Sequence, residues 1–188
     1  MSVTPRRGAT RVSKLGILLA VALVLHGVET LFPSPFPFVR LGLTNVVTLF
    51  ALLTMGFADA LAVTLLRVVL ASVIVGTFLG PTFALGAAGG IAAVLGMGLA
   101  ARLALPPLGI VGLSMIGAAC HNLAQIGAVA LLYTGTGPAA RLLPAAFLLA
   151  AAAGLATGLV ALFALRRLAV PKQQGPRGVP YEWKGNRL

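Results

Sequence analysis

The chain has 188 residues, 59% of them hydrophobic, with a mean hydropathy of +1.04 and a net charge of +11 from 14 Lys and Arg against 3 Asp and Glu. That composition excludes a soluble globular domain. The uncharged runs Leu41–Ala58, Val68–Ala101, Leu103–Ala140 and Leu142–Leu165 reach or exceed the ~18 residues of a membrane-spanning helix, so the chain reads as an all-α polytopic membrane protein.

In chain order, residues 1–14 form a basic tail carrying Arg6, Arg7, Arg11 and Lys14. A first helix is expected over 15–31, with Gly16-x-x-x-Ala20 on it and His26 and Glu29 toward its far end. Arg6-Arg7 before an apolar run also fits a secretion signal, but its cleavage candidate, Ala20-Val21-Ala22, falls inside the run rather than after it. The connection Phe32-Pro33-Ser34-Pro35-Phe36-Pro37-Phe38 alternates proline with other, mostly aromatic, residues. Such a segment is stiff and extended, and serves either as a lid over an outward site or as an interfacial anchor.

A second helix is expected over 41–56, with Asn45 in its first turn, and a third over 59–79, with Asp59 at its start and Arg67 well inside. The 34 residues from Val68 to Ala101 are too long for one crossing of a ~30 Å core, and Gly80-Pro81 divides them. The fourth helix is then 83–104, with Gly86 and Gly90, and the fifth 108–133, with His121, Asn122 and Gln125. The sixth is 141–166, with Gly154 and Gly158, and a basic tail covers 168–188. Glycines four apart let another helix backbone come close, either within the bundle or from a partner. Cys120 reads as a small packing residue.

Six crossings put both ends of the chain on one side, and the charges say which. Cytoplasmic flanks collect Lys and Arg. Arg6, Arg7, Arg11, Lys14, Arg102, Arg166, Arg167, Lys172, Arg177, Lys184 and Arg187, eleven of the 14 basic residues, fall on that side. Arg40 and Arg141 fall outside, and Arg67 lies within the membrane. The excess charge therefore meets anionic lipid at the cytoplasmic membrane, and nucleic acid is not needed as a partner.

An ionisable side chain at a helix centre costs about 2.5–3.5 kcal/mol even on lenient insertion scales, so it faces a partner or a cavity. At ~1.5 Å per residue from the cytoplasmic end, Arg67 is expected ~12 Å deep, His26 ~17 Å, His121 ~20 Å, Glu29 ~21 Å, and Gln125 and Asn45 ~25 Å. His121, Asn122 and Gln125 project over one broad face of their helix. Together these residues fit an outward pocket above a cationic floor; the competing reading makes them interhelical hydrogen bonds, and an Arg67–Glu29 ion pair would satisfy both charges without a ligand.

Absences bound the chemistry. Asp59 is the single aspartate, and no acidic cluster exists to hold magnesium against a diphosphate. A phosphate-binding loop ending in Gly-Lys-Ser or Gly-Lys-Thr is missing, and two histidines without a Cys or carboxylate set do not complete a metal site. Neither a cofactor nor catalysis is expected of this chain.

The stretch Leu41-Gly42-Leu43-Thr44-Asn45, then Gly56-Phe57, Leu66-Arg67-Val68-Val69-Leu70 with Ser72, and Gly117-Ala118 with His121-Asn122 and Gln125, resembles the family called heptaprenyl diphosphate synthase component I. The likeness covers roughly 15–165. That family is grouped with Gx transporters and is similar to the substrate-capture (S) components of energy-coupling-factor vitamin transporters. The resemblance implies a six-helix fold that takes a small nutrient from outside, with a transmembrane coupling subunit and two ATPase subunits as partners. S components often carry Ala-x-x-x-Ala on the first helix for docking, where this chain has Gly16-x-x-x-Ala20. A non-catalytic membrane role in prenyl diphosphate or quinone synthesis, or in flavin-linked extracellular electron transfer, is the alternative it implies.

Overall fold

A computed structural model describes residues 5–31, 42–103 and 108–167. The expected loop 32–38, Arg40 and the tail 168–188 lie outside the described residues. The elements are α1 (Pro5–Leu31), α2 (Asn45–Thr54), α3 (Phe57–Val75), α4 (Pro81–Leu103), α5 (Gly109–Val129), which continues into a π-helical turn (Ala130–Thr134), a short α6 (Thr136–Ala140) and α7 (Leu143–Arg167). Every described element is helical, and five helices are long and apolar enough to cross a membrane.

Three elements differ from expectation: α1, α2 and the short α6, which forms in the expected connection between the fifth and sixth helices. α1 begins at Pro5 rather than 15, so the described basic residues before Lys14 belong to the helix. Proline fits the first helical turn, where its missing N–H has no partner to lose. α2 has 10 residues, against the sixteen of a span over 41–56. At ~1.5 Å per residue it is ~15 Å long, half a bilayer core. It is not lipid-facing: Val47, Thr48, Leu49, Ala51 and Thr54 are buried. Met55 and Gly56, with Gly56 at φ 99°, turn the chain directly into α3.

Contacts fix the direction of each helix. Arg11 meets Asp59, so α1 and α3 start at the same end, and the segment holding α2 returns the chain across. Thr48 pairs with Thr64, Gly90 lies against Thr64 and Gly98 against Phe57, which makes α2 and α4 antiparallel to α3. Gly96 faces Cys120 and Gly89 faces His121; Gly154 meets Met115 and Gly158 meets Val111. α5 therefore runs with α3, and α7 runs back. Arg11, Arg102, Arg166 and Arg167 all gather at one end, and Arg141 is at the other. At the basic end Arg167 lies 5.0 Å over the exposed Phe163 ring, an arrangement suited to a headgroup boundary.

The apolar core sits toward the basic end around α2. Leu49 packs with Ala93, Met97, Leu113 and Ala161, and Ala51 with Ala60 and Val94. The cluster nearer the opposite end, Ile126, Ala139 and Ala146, comes from α5, α6 and α7 alone. α2 thus fills the middle of one half of the bundle, and its first residue opens onto the bundle's centre.

Candidate functional site

The N-terminus of α2 is the floor on which the polar residues meet. Gly42, Thr44, Asn45 and Thr48 line one side of a cavity, Arg67 of α3 and Gly90 and Ala93 of α4 another, and Ala118, His121, Asn122, Ala153 and Thr157 of α5 and α7 the rest. Its volume is about 20 Å³, the space of roughly one water molecule. Arg67 is the single cation in the described lining, which holds no carboxylate.

Each wall is positioned by a specific packing device. On α4, a Cβ at Gly90 would strike Thr64 Cγ2 at 2.9 Å, so the missing side chain lets α3 and α4 pack closely there, with Arg67 Nη2 at an ordinary contact distance of 3.6 Å. At Gly89 it would strike the His121 ring at 2.8 Å, and at Gly117 it would strike Met97 at 2.7 Å and Asn45 Nδ2 at 3.1 Å. His121 and Asn45 thus reach the centre because a glycine faces them. Threonines supply the hydroxyls: Thr48 and Thr64 share a hydrogen bond of 3.1 Å, and Ser114 and Thr157 share one of 2.8 Å. The Thr157 hydroxyl also donates to Ala153 O at 2.7 Å, the usual local satisfaction of a hydroxyl in an apolar helix.

Arg67, Asn45, His121 and Asn122 are brought together; the other expected residues are not. Asn122 Nδ2 donates to Ala146 O at 3.1 Å, so it both lines the cavity and ties α5 to α7. Gln125, 3% exposed, lies outside the lining and reaches Leu85 O at 3.5 Å, a link between α4 and α5. Glu29 and His26 also lie outside it. The Glu29 carboxylate, 7% exposed, accepts a 2.5 Å bond from the Gly42 N–H, within a turn of the α2 N-terminus, where a negative charge is favoured. Asn45 stands beside Gly117 rather than ~25 Å deep, which is ~12 Å along α5. The depth expected for it assumed a helix starting at the membrane surface, whereas α2 starts inside the bundle. The polar layer consequently lies at mid-depth.

Of the glycine pairs, Gly154 and Gly158 are true close approaches, with a Cβ at 2.6 Å from Met115 Cα and at 2.9 Å from Val111 Cα. Gly86 is not, since its nearest neighbour is Val68 Cγ1 at 4.0 Å. Gly16 has nothing within 4 Å and is exposed with Ala20. Thr48, Thr157 and Gly89 belong to no motif in the sequence. A threonine or glycine in an apolar helix carries no signal until its face is known.

One unmet demand stands out. Asn45 Nδ2 and Gln125 Oε1 are buried without a hydrogen-bond partner among the described residues. A buried amide group without a partner is costly, and for Asn45 the group lies in the wall of the cavity. Among the described residues no three His, Cys, Asp or Glu side chains gather to hold a metal ion.

These features define a helical membrane protein with a small cationic, hydroxyl-rich cavity at its centre. The sequence profile of the heptaprenyl diphosphate synthase component I family matches residues 18–164, and the chain belongs to that family. No curated protein and no solved structure matches the chain significantly.

Proposed function

We propose that this chain is a membrane-embedded capture subunit that takes up a small polar or anionic molecule from the outer face. In this reading its basic end faces the cytoplasm against anionic lipid, and a transmembrane coupling subunit with two ATPase subunits drives release. The observation that carries it is the lining of the cavity: a buried arginine, an amide donor without a partner and several hydroxyls, with no carboxylate among the described lining residues. An arginine in the membrane interior, facing a cavity, marks a ligand site by default. Arg67 would balance the ligand's charge, while Asn45, His121 and Asn122 would bond it; Gln125, Glu29 and His26 would hold the surrounding helices. Gly16 and Ala20, on an exposed face of α1, suit close approach of a partner helix.

The family's description favours a second reading, in which the chain is a non-catalytic membrane partner in prenyl diphosphate synthesis. A role in flavin-linked extracellular electron transfer belongs with it. Native mass spectrometry of the protein gently extracted from its host separates the two. A bound small molecule with ATPase subunits supports capture; a bare chain, or one bound to a prenyl-synthesis enzyme, refutes it.

A further inference from the structure

The cavity has room for about one water, so a larger molecule enters only if a wall moves. α1 supplies no residue to the lining, but it adjoins the Gly42 wall through Glu29 and is the long helix least held by packing. Only 11% of its membrane span is buried, against 28–44% in the other long helices. Its apolar attachment to α2 and α3 centres on Ala22, with Val47 and Val63, near the middle of the helix. Its two ends are held differently, each by a charged group. At the basic end the Arg11 guanidinium bonds Asp59, with Nε at 3.0 and 3.2 Å from the two carboxylate oxygens. At the opposite end the Glu29 carboxylate accepts the Gly42 N–H. Gly42 itself lines the cavity, and it begins the turn that sets α2: the Asn45 N–H donates to Gly42 O at 2.8 Å.

The chain of contacts therefore runs from α1 through Glu29 and Gly42 to Asn45. The turn's other backbone bonds are local ones, from Val46 N–H to Leu43 O and from Val47 and Thr48 N–H to Thr44 O. Thr44, the residue before α2, makes no side-chain capping bond, so the entry to the helix is not pinned from within. A carboxylate on a neighbouring helix supplies the tether, close to a helix N-terminus, where an acidic group is favoured.

We infer that Glu29 is a positioning residue that latches the cavity shut, by tying the outer end of α1 to the Gly42–Asn45 turn. Release of that bond frees the turn and lets the cavity widen, with α1 pivoting on Arg11–Asp59. Glu29 lies outside the lining and acts on the ligand through this turn. The inference rests on reading the cavity as the ligand site.

The test uses the full chain in lipid nanodiscs, with Cys120→Ser and Thr44→Cys to place one thiol in the buried turn. Labelling by a small water-soluble methanethiosulfonate is compared for Glu29, Glu29→Asp, Glu29→Gln and Glu29→Ala. The expected result is a labelling rate that rises roughly ten- to a hundredfold in Glu29→Ala, the range over which one charge-assisted hydrogen bond controls an opening equilibrium. Glu29→Gln, which keeps an acceptor without the charge, should fall between, and Glu29→Asp nearest to the parent chain. Hydrogen exchange on the chain with its native Thr44 serves as the second readout: faster exchange in Glu29→Gln should be confined to the peptide spanning 42–48. Equal labelling in all four chains overturns the latch. So does faster exchange spread across α4, α5 and α7, or a Glu29→Gln chain that does not fold, because Glu29 would then hold the whole bundle. Neither readout needs a ligand, whereas the capture reading is tested by ligand on the unaltered chain, so either can fail alone.

Discussion

Gly154→Ala tests the packing logic of the cavity at a single methyl group. The new Cβ would stand 2.6 Å from Met115 Cα and 3.1 Å from Met115 N, both backbone atoms that cannot rotate away. Carbon contacts are comfortable at ~3.5–4.0 Å, so α5 and α7 must part by about 1 Å. That stretches the 2.8 Å Ser114–Thr157 bond and the 3.1 Å Asn122–Ala146 bond past useful length. Overpacking costs about 1–3 kcal/mol, and each lost interhelical bond adds ~0.6 kcal/mol, against a helix-propensity gain of ~0.5–1 kcal/mol for alanine over glycine. The net expectation is a loss of about 1–4 kcal/mol. Gly86→Ala is the internal control: its Cβ would meet only Val68 Cγ1 at 4.0 Å, so the propensity gain stands unopposed at ~0.5–1 kcal/mol. Apparent melting temperatures of the two variants, followed by circular dichroism in one detergent, should differ on the order of 10 °C in favour of Gly86→Ala. A Gly154→Ala protein that melts at or above the parent chain refutes the argument that close backbone approach sets the α5–α7 distance.

Arg67→Ala should abolish binding of the native small molecule while the protein still inserts and elutes as a folded species; loss of the folded species would make Arg67 structural. Gln125→Leu should leave ligand binding within about twofold of the parent chain, because the side chain stands outside the cavity lining and its 3.5 Å bond is long. A much larger loss in a binding titration would return Gln125 to the site. Thr48→Val and Thr64→Val should show a coupling of ~0.6 kcal/mol in a double-mutant cycle of stability, the average for a hydrogen bond between membrane helices. Strictly additive effects would mean that the 3.1 Å contact contributes nothing specific. Arg11→Ala should speed hydrogen exchange at the basic end of α1 without altering exchange in α5 and α7, since Asp59 is its partner and the bundle core lies elsewhere.

The membrane class, the helical content and the four long apolar helices after α2 were legible in the amino-acid order alone. Hydropathy over a window and the break at Gly80-Pro81 are local properties, and lipid enforces them because an unsatisfied backbone cannot stay in hydrocarbon. That Arg67, His121 and Asn122 need surroundings that satisfy them was legible for the same reason: polar groups in an apolar run must meet something. What they meet was not. The length of α2 could not be read, because a helix shielded by five others is free of the rule that ties length to bilayer thickness. Its start at Asn45, deep in the bundle, brings Asn45 to Arg67 and leaves Glu29 to hold the turn before it. Which glycine matters was equally hidden: Gly89 and Gly154 face a neighbour, while Gly86 and Gly16 do not. Sequence determines which groups must be buried within the membrane; only the rotation and offset of the packed helices decide which of them share a cavity.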